Sequence, residues 1–127
     1  MVGIVLVSHS EELARGLARL VGQVAGAEVR VEPAGGDVEG GLGTSGDLVE
    51  AAIARADGGD GVLVLADLGS AILTVRHVLD QHEDRVIRLA DAPLVEGAVA
   101  AAVTAASGQS LDTVLRAAED ARGARKL

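Results

Sequence analysis

Three histidines and one aspartate are the side chains of this sequence whose type and setting could do chemistry. His9 follows an unbroken apolar run, Gly3-Ile4-Val5-Leu6-Val7, and sits between Ser8 and Ser10, where an amphipathic helical pattern begins. That combination describes a strand buried on both faces of a parallel sheet, whose carboxyl end feeds a helix. Ligands of open α/β sheets bind at that edge, where the free N–H groups of the helix start favour an anion. Asp67 closes a second apolar run, residues 61 to 66, in the same way. If the two strands are neighbours, Asp67 lies beside His9. Its carboxylate could then hold one ring nitrogen as N–H, fix the tautomer and leave the other nitrogen as a nucleophile. His77 and His82 are five residues apart, which does not put them on one helix face; capping or solvated roles suit both.

The parts for other reactions are missing. There is no cysteine, and no close carboxylate pair, His-x-x-x-His spacing or Ser-x-Gly elbow, so no metal or cofactor site is expected. Phosphoryl transfer asks for less: an in-line nucleophile, donors for the anionic oxygens and a partner for the imidazolium charge. Helix amino ends with the hydroxyls of Ser10 and Ser70 could supply the donors. No nucleotide site is visible, so the phosphoryl group is expected to come from one protein and go to another.

These residues need a scaffold that brings two strand ends together. The first strand spans residues 2 to 8, and Leu13, Leu17, Leu20, Val21 and Val24 mark one face of the helix after it. Ser8 with Glu11 fits a capping box, and Ser10 before two glutamates fits a cap two residues later. Gly26 closes this helix. Residues 27 to 33 alternate as a half-exposed strand ending at Pro33. A glycine-rich stretch, 34 to 46, reads as a long mobile loop before a helix capped by Thr44 or Ser45. A third strand covers 61 to 66, Ser70 is expected to cap the next helix, and a fourth strand covers 85 to 90. Strands alternating with helices imply right-handed crossovers and a parallel sheet. The fold class is therefore α/β: a three-layer sandwich with a central, mainly parallel sheet of order 2-1-3-4 and helices on both faces.

The glycine-rich stretch contains Gly41-Leu42-Gly43-Thr44-Ser45-Gly46, which matches GxGxxG letter for letter. A dinucleotide fingerprint must follow a strand directly, and here the first βα turn carries a histidine instead; with no lysine, the stretch is not a Walker loop either. It reads as a surface loop. Helix 94 to 107 is apolar almost all round, which suits burial on two sides. A second subunit is the simplest cover for the outer side, and a helix merely wedged under the last one is the rival reading. A last amphipathic helix, 111 to about 122, opens at Ser110 or Asp112.

With 127 residues the chain is expected to form a single domain, 1 to 127. A net charge of -8 without any aromatic residue argues against nucleic acid. The longest apolar stretch, 94 to 106, is interrupted by Glu96 and too short for the roughly 20 residues of a membrane span. A cytoplasmic location is expected, and no membrane association.

Five segments in order, Val7-Ser8-His9-Ser10, Gly43-Thr44, Asp67-Leu68-Gly69-Ser70-Ala71, Ala92-Pro93-Leu94-Val95-Glu96-Gly97 and Ala105-Ala106-Ser107-Gly108, resemble the EIIA domains of the DhaM family. These are phosphotransferase subunits of phosphoenolpyruvate-dependent dihydroxyacetone kinases, related to the mannose-family EIIA of sugar phosphotransferase systems. The resemblance implies that His9 is phosphorylated by HPr. It also implies that His9 passes the group to ADP in DhaL, which serves dihydroxyacetone bound to DhaK, and that the chain is a homodimer. Some members carry HPr-like and enzyme-I-like domains after this one, whereas this chain stops at Leu127; separate donors, or a longer parent protein, are expected. A mannose-type EIIA that donates to an EIIB, and a non-catalytic sensor with the same fold, are the alternatives.

Overall fold

Every residue of β1 (Gly3–Ser8) is buried, and the period-two alternation of its side chains divides the core in two. The computed structural model describes all residues, 1 to 127. β1 is followed by α1 (Glu11–Ala25), β2 (Val31–Gly35), α2 (Gly46–Ala56), β3 (Val62–Ala66), α3 (Gly69–Asp80), β4 (Ile87–Leu89), α4 (Leu94–Ala106) and α5 (Leu111–Asp120), with a short 3-10 turn at Ala121–Gly123. The sheet is parallel throughout, in the order β2-β1-β3-β4. The predicted architecture is the observed one.

Ile4 pairs with Leu63 and Leu6 with Leu65, and these four side chains pack with Leu17 and Val21 of α1, Ala98, Ala101, Ala102 and Ala105 of α4, and Val114 and Ala118 of α5. Val5, Val7, Val62 and Val64 point the other way, against Val49 and Ile53 of α2 and Ala71 and Val75 of α3. Helices cover both faces because the two central strands are buried at every position and apolar at all but Ser8, the last residue of β1. Burying one such Leu or Ile stabilises the fold by roughly 1.5–3 kcal/mol, so the central strands hold the carboxyl edge, where the site lies, in place.

Four local readings differ from the observed structure, the first being β4, which holds Ile87–Leu89 rather than 85 to 90. β2 starts at Val31 rather than residue 27 and runs through Pro33 to Gly35, with Pro33 opposite Leu6. Pro33 is tolerated because β2 is an edge strand, where a missing N–H leaves no ladder partner wanting. The α3 cap is Leu68 rather than Ser70, and Ser70 lies in the exposed first turn. The loop after β2 is tied to itself: Asp37 accepts the N–H groups of Glu39 and Gly41 on one carboxylate oxygen, at 2.9 and 2.7 Å, and its own N–H returns to the Gly41 carbonyl. The open alternatives resolve to Ser10 for α1, Ser45 for α2 and Ser110 for α5, each accepting an N–H three residues on.

α1 reaches the site only because Gly35 lets it. A Cβ at residue 35 would stand 2.5 Å from the Ser10 carbonyl oxygen and 2.7 Å from the Glu11 Cα. The end of β2 therefore packs directly on the backbone that follows His9.

Candidate functional site

The site forms where β1 and β3 end side by side. Asp67, next after β3, donates its main-chain N–H to the Val7 carbonyl, which continues the ladder by one residue and brings its carboxylate to the β1–α1 turn. That carboxylate accepts the Ser8 hydroxyl at 2.6 Å, the His9 main-chain N–H at 3.2 and 3.3 Å, and the Leu68 N–H at 2.7 Å. Ser8 is the one buried polar residue of the core, and its oxygen also accepts the Ser10 N–H at 3.0 Å. A buried hydroxyl must find partners or destabilise the fold, and Ser8 satisfies both of its roles.

His9 and Asp67 are thus adjacent, as their strand positions implied. The contact differs from the one expected: Asp67 holds the main chain of His9 rather than its ring. The ring is half-buried, and its Nδ1 is enclosed with no hydrogen-bond partner. Nε2, also without a bond, is the ring nitrogen on the accessible side. On the other flank, the Gly43 N–H donates to the His9 carbonyl at 2.9 Å and the Gly36 N–H to the Ser8 carbonyl at 3.3 Å. The glycine-rich loop therefore grips the turn that carries His9.

Two helices begin here. Ser10 caps α1 by accepting the Leu13 N–H at 3.3 Å and keeps its own hydroxyl hydrogen free to donate. α3 starts after Leu68 with no side-chain cap, so its leading amides, among them that of Ser70, face the carboxyl edge without an acceptor of that kind. Oriented N–H groups at two helix starts make this edge favourable for an anion. His77 is exposed, with Gln81 at 3.4 Å, and His82 meets Glu50 at 2.6 Å; neither lies at this edge.

Ser8, Gly43 and Thr44 belong to the site although residue type alone had given them capping or loop roles. The spacing of Ser8 from Glu11 suited a cap, and only tertiary pairing with Asp67 shows its other part. No helix of the structure is long and apolar enough to cross a membrane.

A parallel four-stranded sheet of this order, with a histidine at the end of its first strand and an aspartate beside it, has the organisation of a phosphotransferase-system EIIA domain. The family model EIIA-man, described as PTS system fructose IIA component, matches residues 3–115, and the chain belongs to that family. Within it, the chain is an EIIA domain of the DhaM type. It is 34% identical over 119 residues to the phosphoryl donor subunit DhaM of PEP-dependent dihydroxyacetone kinase 2 from Listeria innocua, covering 91% of this chain and 95% of that one. It is 39% identical to the DhaM subunit of Pantoea ananatis, over 99% of this chain but 28% of that protein. The Lactococcus lactis DhaM is 35% identical, over 88% of this chain and 89% of its own length. The chain thus spans nearly all of some relatives and little more than a quarter of others. The crystal structure of EF1359, a protein of unknown function, superposes with a TM-score of 0.82 at 34% identity, covering 94% of this chain and 95% of that one.

Proposed function

We propose that this chain is the phosphoryl carrier of a phosphoenolpyruvate-dependent dihydroxyacetone kinase. His9 takes a phosphoryl group from HPr and delivers it to ADP held by DhaL, which then serves dihydroxyacetone on DhaK. The observation that carries this reading is the presentation of His9: its main chain is fastened on both sides, by Asp67 and by Gly43, while Nε2 remains accessible. A lone pair held in place at a surface suits in-line transfer between proteins.

In the loading step the Nε2 lone pair forms the bond to phosphorus as phosphorus leaves the donor's atom. In the return step the N–P bond breaks as a terminal phosphate oxygen of ADP takes the group. Amides at the starts of α1 and α3, with the Ser10 and Ser70 hydroxyls, bind the phosphoryl oxygens. The Asp67 carboxylate opposes the positive charge that develops on the ring. The partner's footing is aliphatic: Val38, Leu42 and Leu68 stand exposed on the loop and the turn around His9. A small, transient contact at the low end of interface sizes fits such a surface.

The same reading makes the chain a homodimer. Leu13, Leu20 and Val24 of α1 and Val95 and Val103 of α4 are 45–52% exposed on two helices that pack together over one face of the sheet. Exposed aliphatic groups concentrated on one layer mark an association surface.

The acceptor is tested by mixing the phosphorylated protein in turn with DhaL carrying ADP and with a mannose-type EIIB, and following the label. Discharge to DhaL alone, with dihydroxyacetone phosphate appearing once DhaK and substrate are added, is expected. Discharge to EIIB alone would make the chain a transporter EIIA, and absence of any label would make it a sensor.

A further inference from the structure

Only two buried side-chain polar atoms in the chain lack a hydrogen-bond partner, His9 Nδ1 and Thr44 Oγ1, and the chain brings their residues together. The Gly43 N–H donates to the His9 carbonyl at 2.9 Å, and Thr44 is the next residue, bridged to Gly36, whose N–H goes to the Ser8 carbonyl. Asp67 is already engaged by the Ser8 hydroxyl and by the main-chain N–H groups of His9 and Leu68. We propose that Thr44 is a positioning residue for His9: its hydroxyl accepts a hydrogen bond from Nδ1–H and holds the imidazole in the tautomer whose free lone pair is on Nε2.

A neutral imidazole keeps its proton on one of its two nitrogens, and the surroundings decide which. An enclosed Nδ1 with no acceptor is a poor place for N–H, because a buried donor left unpaired is costly. The proton would then reside on Nε2, where water accepts it, and Nε2 would have no lone pair to offer. A hydroxyl acceptor at Nδ1 reverses that preference. In the present conformation the two atoms do not bond each other, so the bond requires a side-chain rearrangement within the staggered rotamers of the two residues.

The inference rests on the carrier reading of His9, but its first readout does not. Histidine-labelled protein is compared by long-range proton–nitrogen NMR, without phosphate, as wild type, Thr44→Val and Thr44→Ser. Wild type and Thr44→Ser should show Nδ1–H, and Thr44→Val should shift to Nε2–H while its circular dichroism is unchanged. Phosphorylation by phosphorylated HPr should slow by about tenfold in Thr44→Val, the scale of one hydrogen bond, and recover in Thr44→Ser. An unchanged tautomer in Thr44→Val overturns the proposal, whether or not its rate falls, and so does a shifted tautomer with a wild-type rate. A wild-type protein that takes up no phosphoryl group defeats the carrier reading instead, and the tautomer comparison still decides whether Thr44 sets the ring.

Discussion

The Asp67 carboxylate lies 3.2 Å from the main-chain nitrogen of His9 and accepts its N–H. Because the same carboxylate takes the buried Ser8 hydroxyl at 2.6 Å, it fixes the direction in which the chain leaves β1 and therefore where the imidazole stands. Asp67→Ala should remain folded and lose phosphorylation rate by about 10²-fold to 10⁴-fold, the usual range for a positioned group of this kind. Rapid-quench transfer from phosphorylated HPr measures it. A wild-type rate would reduce Asp67 to a residue that stabilises the turn.

A neighbour that touches no ring atom should matter as well. Gly35→Ala places a methyl group 2.5 Å from the Ser10 carbonyl, so α1 must shift, at about 1–3 kcal/mol for overpacking. Its phosphorylation should slow along with the loss of stability. Gly22→Ala is the control: its added methyl meets nothing within 4 Å, and replacing an interior helical glycine should raise stability by roughly 0.5–1 kcal/mol. Urea titration of both variants decides; two equal effects would mean that Gly35 is not a contact point.

The association surface predicts a change of mass. Leu20→Glu or Val103→Glu puts a carboxylate at a side chain that is 46% or 45% exposed in the single chain. Each should convert dimer to monomer in analytical ultracentrifugation without altering the circular dichroism. A dimer that persists in both variants would place the interface elsewhere.

Asp57 gives a pH-dependent term away from the site. The Gly59 main-chain N–H at 3.0 Å, then the Arg85 guanidinium at 3.1 Å, hold its carboxyl below the usual carboxylate range. A lowered folded value contributes stability above the unfolded pKa of about 3.9, and that stability is lost as pH falls through the folded value. Asp57→Ala should therefore cost no more than about 1 kcal/mol at pH 7, since the pair is partly solvated. The deficit should shrink below about pH 4. Thermal melts across that window measure it, and a pH-independent deficit would remove the electrostatic account.

The sheet order was legible because β1 and β3 are continuous apolar runs up to Ser8 and Asp67, as suits the two central strands of such a sheet. The adjacency of His9 and Asp67 followed from that order alone. β2 was harder: Val29 is buried and continues the alternation, but it packs on the core from a turn outside the ladder, and an edge strand tolerates the Pro33 that reads as a stop. The α3 start moved from Ser70 to Leu68 because the Asp67 carboxylate itself takes the Leu68 N–H at 2.7 Å. Whether Asp67 meets the ring or the main chain of His9 depends on a shift of a few ångströms in the turn, which residue type does not encode. The part played by Ser8 and Thr44 depends on which buried atoms find partners, and that too exists only in three dimensions.

The most direct test of the central claim is to incubate the protein with phosphoenolpyruvate, enzyme I and HPr and to locate the label by mass spectrometry and nitrogen NMR of the histidines. One acid-labile phosphoryl group per chain, bonded to Nε2 of His9 and absent from a folded His9→Ala variant, is the predicted result. Full labelling of His9→Ala, or a phosphoryl group on His77 or His82, would contradict it.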